Sequence, residues 1–510
     1  MTDYQVKVFN KYKSFINTQP DYCKPQQQIL LHQSILADRI KHYNNLLIYH
    51  QTGSGKTCAA IQIATQAQLT DHYVHFIMPR ALIQNFNNEL NSFCAKNLHT
   101  SHIHTYHGFI KFLSNKKNRH FFYNNKNLII IDEVHNILNS RGSTYNAFID
   151  LLKLSPNSKI VLMTATPIVD DIEQLIPLFN LLLVNQYYKS SNTILPFTRP
   201  SFKFNFCHND SLDFNKFSKF FGKYISYYPG PPSSAIPKLT FKYQKVTLHP
   251  KQISAIKAHK TYTSLTNNIK QTQLVTSTPP IFYLQLRQIS NVFFYKNTII
   301  SPKFDSIYKN MDFKHKIFVY SSFTNNHGIA SFCKYLELKQ NWKYYFDCTP
   351  QQLLDESIFK YVKWLGDTPT KLKFKILKLF NSSNNLYGNK IKLFIGSPAA
   401  KEGLSFEAVT QVHILEPYWN WSRIYQIYSR AVRFCKHQSL KPNERQVHVF
   451  LYIASAPSMH SIDQYIINIL NKKKDLIDRS LSILQNSSFD FLLHSKNLLP
   501  YGPGKQVALH

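Results

Sequence analysis

The chain is short of acidic residues. Its 510 residues include 60 Lys and Arg but only 28 Asp and Glu, which gives a formal net charge of +32. An excess of this size indicates a polyanionic partner, and we expect a nucleic acid rather than a membrane surface. The alternative explanation is an AT-rich genome that favours Lys and Asn codons. That explanation accounts poorly for the few acids, because Asp and Glu codons are not especially GC-rich.

Long apolar runs are also missing. No run approaches the ~18 residues that a membrane-spanning helix needs. The opening residues, Met1–Gln5, do not resemble the start of a signal peptide. The sequence therefore predicts neither a membrane-spanning protein nor a secreted one.

Cysteine pairs at metal-binding spacing are absent as well. The seven cysteines are scattered and include no C-x-x-C, so we expect reduced thiols in a reducing compartment. One cluster has the residue types of a zinc site, namely Cys94, His99, His102, His104 and His107. Its residues alternate along a predicted strand, so the imidazoles would not all face one ion. We interpret the cluster as a basic strand end that partly faces nucleic acid, with zinc as the weaker alternative.

A glycine-bearing loop after a buried-strand pattern, Leu46–His50, is the most informative segment present. The loop residues predicted to contact a nucleotide are Thr52, Gly53, Ser54, Gly55, Lys56 and Thr57. The glycines allow successive N–H groups to point at phosphate oxygens, Lys56 would reach the β/γ-phosphates, and Thr57 would bind Mg²⁺. His50 stands where the strict pattern has its first glycine, which leaves an ordinary glycine-rich turn as the alternative.

Two adjacent acids, Asp132 and Glu133, follow a second strand pattern, Asn127–Ile131. Charge at the end of a buried strand is costly unless it has a use. Asp132 would hold Mg²⁺, and Glu133 would orient or deprotonate the attacking water. The alternative is a helix start, where the helix dipole favours acids.

A third strand pattern, Ile160–Met163, runs into Thr164-Ala165-Thr166-Pro167. By itself this is an ordinary strand end. Beside a nucleotide, the Thr164 and Thr166 hydroxyls could sense the state of the site and relay it.

The second half of the chain contains Gln426-Ile427-Tyr428-Ser429-Arg430-Ala431-Val432-Arg433. We predict a helical stretch in which Arg430 and Arg433, three residues apart, share one face. Such arginines could neutralise charge that develops on a transferred γ-phosphoryl group. A solvated basic face is the alternative.

These four elements occur in the order found in superfamily 2 helicases and translocases, and the chain resembles that superfamily. Within it, the chain is similar to viral ATPases of large cytoplasmic DNA viruses, such as the poxvirus nucleoside triphosphatase I and the small subunit of the early transcription factor. Relatives on yeast linear plasmids belong to the same group. The resemblance covers roughly residues 30–490, and it departs at Ser429, where a glycine is usual, and at Phe489-Asp490-Phe491.

The resemblance implies further nucleotide contacts. Gln33 precedes the loop where an adenine-reading glutamine is expected, although a plain surface glutamine is the alternative. Gly403, in a loop after a strand pattern, and Gln426 would also bind the nucleotide. The catalytic set implied is Lys56, Asp132, Glu133, Arg430 and Arg433.

The resemblance also implies nucleic-acid contacts. The segment Phe76–Phe86 resembles the family's first DNA-contacting segment, which places Pro79 and Arg80 on the nucleic acid. Phe318–Phe323 resembles the opening strand of the second motor domain and adds Ser321. Tyr224–Pro229 is similar to the interdomain "SY" segment.

The fold class implied is α/β, with two tandem RecA-like P-loop domains of parallel sheets flanked by helices. We predict an N-terminal ATP-binding domain at 1–188 and a linker with helical insertion at 189–302. A C-terminal helicase domain at 303–456 and a helical tail at 457–510 would follow. ATP would bind in the cleft between the two domains.

We therefore expect a nucleic-acid-dependent ATPase that uses ATP and Mg²⁺ and acts on DNA, with RNA as the alternative track. Viral RNA polymerase or transcription factor subunits are the expected protein partners, no membrane is involved, and the host cytoplasm is the expected location, in a viral factory or packaged in the virion. Competing hypotheses are a promoter-binding subunit without hydrolysis, an RNA helicase of the same fold, and a P-loop nucleotide kinase. The kinase would not need the second α/β half.

Overall fold

The computed structural model describes residues 2–18, 23, 29–91, 94, 98, 101–191, 196–208, 211–230, 235–270, 283–339, 341–401, 404–457 and 459–494. The chain forms two compact units. The first comprises Met1–Pro232 and Asp475–Gly504, and the second comprises Ser233–Lys474. Each unit is an α/β layer structure around a parallel sheet, as the fold class predicted.

The first unit is built on a six-stranded sheet with the order β3-β2-β4-β5-β1-β8, in which every pairing is parallel. Its strands are β1 Asn45–His50, β2 Tyr73–Ile77, β3 His102–His104, β4 Asn127–Ile131, β5 Lys159–Thr164 and β8 Ile225–Tyr228, and a separate antiparallel pair is β6 Cys207–His208 with β7 Ser211–Leu212. Its first ten helices are α1 Asp3–Tyr12, α2 Leu31–His42, α3 Lys56–Gln68, α4 Arg80–Leu90, α5 Tyr106–Ser114, α6 Lys116–Asn124, α7 Ser143–Lys153, α8 Leu175–Ser191, α9 Arg199–Phe206 and α10 Phe214–Phe221.

Continuous apolar runs explain why β1, β4 and β5 are central. All of their residues are buried, which is typical of parallel strands covered by helices on both faces. Leu47 and Ile129 lie in the core on one face of the sheet, whereas Leu46 and Ile130 lie in the core on the other. Successive side chains along each strand therefore fill cores on both faces of the sheet.

The second unit is built on a seven-stranded parallel sheet with the order β13-β14-β15-β12-β16-β17-β9. Its strands are β9 Lys238–Thr247, β12 Lys316–Tyr320, β13 Trp342–Tyr344, β14 Phe359–Trp364, β15 Leu393–Gly396, β16 Val409–Ile414 and β17 Gln446–Ser455, with an antiparallel pair β10 Phe293–Tyr295 and β11 Thr298–Ile300. Its helices are α11 Pro250–Ala258, α12 Lys260–Lys270, α13 Leu284–Asn291, α14 Pro302–Asn310, α15 Ile329–Glu337, α16 Pro350–Leu354, α17 Thr370–Phe380, α18 Trp421–Tyr428 and α19 Ile462–Ser487.

The predicted tail does not form a unit of its own. The first turns of α19 pack Ile462 and Ile466 into an apolar cluster of the second unit. The described residues from Asp475 belong to the first unit, and α20 Phe491–His494 ends the described part. Close contact with Gly222 is required there, because a Cβ on Gly222 would lie 2.6 Å from the Ser487 carbonyl oxygen.

The predicted boundaries at 188/189 and 302/303 also differ from those of the compact units. β8 pairs with β1 and extends the first sheet beyond residue 188. β9 pairs with β17 along ten residues and therefore belongs to the second sheet. Both strands pair with distant segments, so local composition could not place them.

The prediction of reduced thiols was wrong for four of the seven cysteines, because Cys23 and Cys435 are disulfide-bonded as well as Cys58 and Cys94. Cys58 and Cys94 form a disulfide, with their Cα atoms 5.6 Å apart, whereas Cys207, Cys333 and Cys348 are free thiols. Cys58 lies in the first turn of α3. A sequence separation of 36 residues gave no pairing pattern.

The histidine cluster was interpreted as a basic strand end with alternating side chains. In the structure, several of its rings lie on one face of the sheet and the buried ones are neutral. β3 pairs with β2 so that His75 lies beside His102, and His102 and His104, two residues apart, share its face. Burial lowers the pKa of His75 to about 3 and that of His104 to about 4, so these rings are neutral. His99 lies outside the described residues, and among those described no group of three His, Cys, Asp or Glu side chains is suited to a metal.

No helix in the described part of the chain combines the length and apolarity needed to cross a bilayer.

Candidate functional site

The carboxyl edge of the first sheet collects the segments predicted to act. β1, β4, β5 and β8 all run parallel, so their carboxyl ends lie at one edge. The phosphate loop follows β1, the acids Asp132 and Glu133 follow β4, and the Thr164–Thr166 segment ends β5. In open parallel sheets this is the edge at which ligands bind.

The loop after β1 has the backbone of a phosphate-binding turn. Gly53 and Gly55 adopt left-handed φ values of +80° and +77°, which a side chain would strain. Gly55 immediately precedes α3, so the loop presents the N-terminus of a helix, where backbone N–H groups and the helix dipole favour anions. The Lys56 Nζ donates to the carbonyl oxygens of His50 and Gln51, each at 3.1 Å. The missing first glycine therefore leaves the turn itself intact.

Gln33 lies against this loop. Its Nε2 donates to the Gly55 carbonyl oxygen at 3.3 Å, and its Oε1 accepts from the Leu30 N–H at 2.9 Å. Only 3% of the residue is exposed, so the alternative of a plain surface glutamine does not hold. A contact with adenine stays a prediction.

The acid pair is held by the backbone around it. Asp132 N–H donates to the Ile77 carbonyl oxygen at 2.8 Å, and Asp132 Oδ1 accepts from the Glu133 N–H at 2.8 Å. The Tyr106 hydroxyl donates to the carbonyl oxygens of Asp132 (2.7 Å) and Glu133 (3.0 Å). Glu133 has a φ of +48°, an unfavourable conformation for a non-glycine residue that often marks a functional site.

His135 connects the acids with the Thr164–Thr166 segment. Its Nδ1 lies 3.3 Å from Glu133 Oε2, 3.1 Å from Thr164 Oγ1 and 3.4 Å from Thr166 Oγ1. The Thr166 N–H donates to Thr164 Oγ1 at 3.0 Å. A shift of the Glu133 carboxylate would therefore displace His135, which in turn contacts the hydroxyls of Thr164 and Thr166.

Thr57 and Asp132 supply the oxygen donors that Mg²⁺ prefers. Both residues are partly exposed and follow strands that end at the same sheet edge. A magnesium site of this kind takes one or two protein ligands and completes its shell with water and phosphate oxygens. The residues present fit such a cation.

In the second unit, the helix that carries Gln426 ends earlier than predicted. α18 stops at Tyr428, so Arg430 and Arg433 lie in the turns beyond it and do not share a helix face. Arg430 is 6% exposed; its Nη1 donates to the Leu404 carbonyl oxygen at 3.3 Å and its Nε to that of Gln426 at 3.1 Å.

Arg433 is less buried, and its Nε donates to the Ser429 carbonyl oxygen at 3.3 Å. Ser429 has an ordinary helical φ of −64°, so serine replaces the usual glycine there without backbone strain. Gly403 lies outside the described residues.

The predicted nucleic-acid contacts differ in exposure. Arg80 is exposed at the start of α4, directly after the partly exposed Pro79. Ser321 is 2% exposed, and its Oγ donates to Glu416 Oε2 at 3.1 Å. The Arg80 side chain is therefore accessible to a phosphate group. Ser321 is not accessible, and its hydrogen bond with Glu416 instead holds the loop that follows β12.

Tyr106 and His135 were missed by the sequence-based predictions. His135 is the last residue of the Asp-Glu-Val-His run, two residues after Glu133, so it could have been included. Tyr106 gives no such signal, because it contacts the acids from a helix 26 residues upstream.

Three family profiles match the chain. The Type III restriction enzyme res subunit matches residues 1–169, the SNF2-related domain matches residues 100–292, and the helicase conserved C-terminal domain matches residues 302–435. Among solved structures, the Sulfolobus solfataricus SWI2/SNF2 ATPase core in complex with dsDNA is 17% identical, covers 94% of this chain and 97% of its own, and has a TM-score of 0.36.

Curated relatives are similar along most of the chain. The protein named "Putative ATP-dependent RNA helicase R563" of Acanthamoeba polyphaga mimivirus is 30% identical over 98% of this chain and 94% of its own length. "Putative ATP-dependent RNA helicase L538" of the same virus is 27% identical over 90% and 97%. The nucleoside triphosphatase I of Choristoneura fumiferana entomopoxvirus is 25% identical over 89% and 77%. With a phosphate loop, an acid pair and a helicase C-terminal domain in one chain, the protein belongs to the superfamily 2 helicases and ATPases and is an ATP hydrolase.

Proposed function

We propose that the protein is a nucleic-acid-dependent translocase that acts on DNA and couples Mg²⁺–ATP hydrolysis to movement. The observation that carries this proposal is the contact of His135 with both Glu133 and Thr164. A simple nucleotide-binding protein has no need to link the water-positioning acid to a second strand end.

Each residue has a defined part in the proposed reaction. Lys56 neutralises the β/γ-phosphates, Thr57 and Asp132 hold Mg²⁺, and Glu133 orients the attacking water. Held by Thr57 and Asp132, Mg²⁺ would supply positive charge that offsets the charge of the phosphates. Arg433 supplies further positive charge to the γ-phosphoryl group.

The charge of the chain supports a nucleic-acid track. A net charge of +32 and the exposed Arg80 at a helix start favour phosphate contacts. We propose DNA because the sequence motifs resemble those of DNA-dependent viral transcription ATPases, and a similar protein is named nucleoside triphosphatase I, in an entomopoxvirus. Other relatives carry the name RNA helicase, so RNA is the second candidate. We further propose a role in viral-type transcription in the host cytoplasm, beside polymerase or transcription factor subunits.

Steady-state ATPase assays with single-stranded DNA, duplex DNA and RNA in parallel test the proposal. We expect stimulation by DNA above that by RNA, with Lys56→Ala protein as the control for contaminating activity. Stimulation by RNA alone would select the RNA helicase alternative. Binding to DNA with no ATP turnover would select the promoter-binding alternative.

Salt dependence gives a second measurement. If about six to ten phosphates are contacted, the affinity for duplex DNA should fall by roughly 10³–10⁵ between 50 and 200 mM salt. An affinity that does not change with salt would mean that the positive charge reflects codon bias.

A further inference from the structure

The segment after α19, which contains Phe489 and Asp490, is hydrogen-bonded to β8. Phe489 N–H donates to the Ile225 carbonyl oxygen at 2.9 Å. Asp490 is fully buried, and its two carboxylate oxygens accept from the Tyr227 N–H at 2.9 Å and from the Ser226 hydroxyl at 2.5 Å. The reaction proposed above makes no use of this buried carboxylate.

The Ser226 hydroxyl connects Asp490 with His50, the residue before the phosphate loop. β8 pairs with β1, and the His50 Nε2 lies 2.9 Å from Ser226 Oγ. A serine hydroxyl has a single hydrogen, and here it is donated to the Asp490 carboxylate. His50 must therefore donate from Nε2, and burial keeps this ring neutral by lowering its pKa well below the usual value. The carboxylate thus fixes the direction of every hydrogen bond in the Asp490–Ser226–His50 relay.

His50 is the residue at which the phosphate loop begins. Its carbonyl oxygen accepts from Lys56 Nζ, as does that of Gln51. The Gln51 N–H donates to the Tyr228 carbonyl oxygen at 3.1 Å. A fully buried imidazole therefore stands where the strict pattern has a glycine, on a residue whose own carbonyl oxygen contacts Lys56.

We propose that Asp490 is a positioning residue for ATP binding, which acts through Ser226 and His50 to hold the start of the phosphate loop in place. The proposal rests on the ATPase function proposed above. Asp490 itself contacts no nucleotide. It fixes the tautomer of His50 and the orientation of the His50 ring. Through the ring it holds in place the carbonyl groups of His50 and Gln51, which accept hydrogen bonds from Lys56.

An asparagine at this position would reverse the relay while keeping its shape. The Asn Oδ1 would still accept from Tyr227, but its Nδ2 would donate to Ser226. The Ser226 hydroxyl would then donate to His50 Nε2 and move the ring proton to Nδ1. That atom is buried and has no hydrogen-bond partner among the described residues, and an unsatisfied buried donor is costly. The ring would have to move.

The alternative is that Asp490 only fastens the C-terminal segment. Gln5 offers a matched control, because its Nε2 donates to the carbonyl oxygens of Asn486 (2.8 Å) and Ser488 (2.9 Å) in the same segment. Gln5 is also buried and does not contact the relay. Removing it loosens the segment without changing the hydrogen bonds of His50.

The experiment compares Asp490→Asn, Ser226→Ala and Gln5→Ala in the full chain. KM and kcat for ATP are measured, together with the affinity for a fluorescent ATP analogue and the thermal unfolding midpoint. We expect Asp490→Asn and Ser226→Ala to raise KM and weaken analogue binding roughly tenfold, with kcat nearly unchanged. Gln5→Ala should leave KM as in the parent protein.

Measuring KM for ATP as a function of pH distinguishes a role of Asp490 in positioning the phosphate loop from a role in holding the C-terminal segment. Burial raises the pKa of Asp490 to about 6. The charged and titratable groups around it are Arg39, whose pKa burial lowers to about 10 so that it stays charged, and the imidazoles of His50 and His494, which burial keeps neutral by lowering their pKa. The KM ratio of Asp490→Asn to parent should therefore fall from about tenfold at pH 7.5 towards one below pH 6, since the parent then loses the carboxylate too.

An unchanged KM in Asp490→Asn, or an equal rise in Gln5→Ala, would overturn the positioning role. If the parent protein hydrolyses no ATP, the proposed function fails. In that case the affinities of the three variants for the analogue still decide whether Asp490 shapes the loop.

Discussion

The imidazole of His135 lies 3.1 Å from the hydroxyl of Thr164, through its Nδ1 and the threonine Oγ1. The same nitrogen lies 3.3 Å from Glu133 Oε2. The acid that would position water and the strand end that would sense it thus share one side chain. We expect this side chain to carry the coupling between hydrolysis and nucleic acid.

Replacing His135 with Ala should therefore uncouple the two activities. We expect basal ATPase to stay within a few-fold of the parent, since Glu133 remains, while stimulation by DNA is lost. His208→Ala is the control, because His208 is exposed in the same unit and is not among the predicted site residues. If His135→Ala retains full stimulation, the threonines receive the signal by another route.

Glu133→Gln should bind ATP but turn it over slowly. The amide keeps the shape of the carboxylate and cannot accept the proton of water, so kcat should fall by about 10²–10⁴. Glu173→Gln is the control, because Glu173 pairs with Arg199 in the same unit. Parental turnover in Glu133→Gln would reduce Glu133 to a structural acid.

Lys56→Ala should abolish turnover by removing the charge on the β/γ-phosphates, while most DNA binding remains. Single-turnover hydrolysis and DNA affinity measured on the same preparation test both parts. Lys153→Ala, at a surface pair with Asp150, should change neither. Near-normal turnover in folded Lys56→Ala protein would contradict the site assignment.

The two arginines should behave differently. Arg430→Ala leaves the Leu404 carbonyl oxygen without its buried donor and should lower the free energy of unfolding by about 1–3 kcal/mol. Arg433→Ala should change stability by less than about 0.5 kcal/mol and lower kcat by roughly 10²–10³. Arg433→Lys should not restore kcat, because a flexible point charge does not reproduce the planar guanidinium.

Denaturant unfolding and ATPase assays on the same samples separate the two effects. Parental kcat and full DNA stimulation in Arg433→Ala would remove the arginine from the mechanism.

Asp490→Asn should become more stable relative to the parent as pH rises. The folded pKa of Asp490 is about 6, against an ordinary value of 3.8. Between these values the folded state binds more protons than the unfolded state, so this group's contribution to stability falls as pH increases and stays low above pH 6. The variant lacks that cost and could gain up to about 3 kcal/mol at pH 7.5. Urea unfolding at pH 4 and 7.5 tests this, and a difference independent of pH would contradict it.

The parts of the fold that depend on hydrophobic pattern and turn residues within a short stretch of chain were predictable from the sequence. The strands before the phosphate loop, the acids and Thr164 are buried apolar runs, and each motif follows its strand directly. The two-sheet α/β class is confirmed for the same reason. These signals lie within about fifteen residues of chain, where periodicity and turn chemistry decide the structure.

What could not be predicted depends on partners far away in sequence. Arg430 was assigned to a helix because of its spacing, yet it lies beyond the end of α18 and donates to a carbonyl 26 residues upstream. The Cys58–Cys94 pairing and the contact of Asp490 with Ser226, 264 residues apart, leave no local trace either. In the sequence, Asp490 stands out only as the middle residue of Phe489-Asp490-Phe491, a segment where the family resemblance leads one to expect Ile-Asp-Cys.

The return of the chain to its first unit at Asp475 has a consequence for synthesis. The N-terminal unit is interrupted by about 240 residues that fold elsewhere, so it cannot be finished as it leaves the ribosome. At about 5–20 residues per second, the phosphate loop would wait roughly 20–90 s for Asp490 to emerge. Until then β8 has an unpaired edge, where a chaperone could bind, and nascent chains that stop early would lack a complete ATP site.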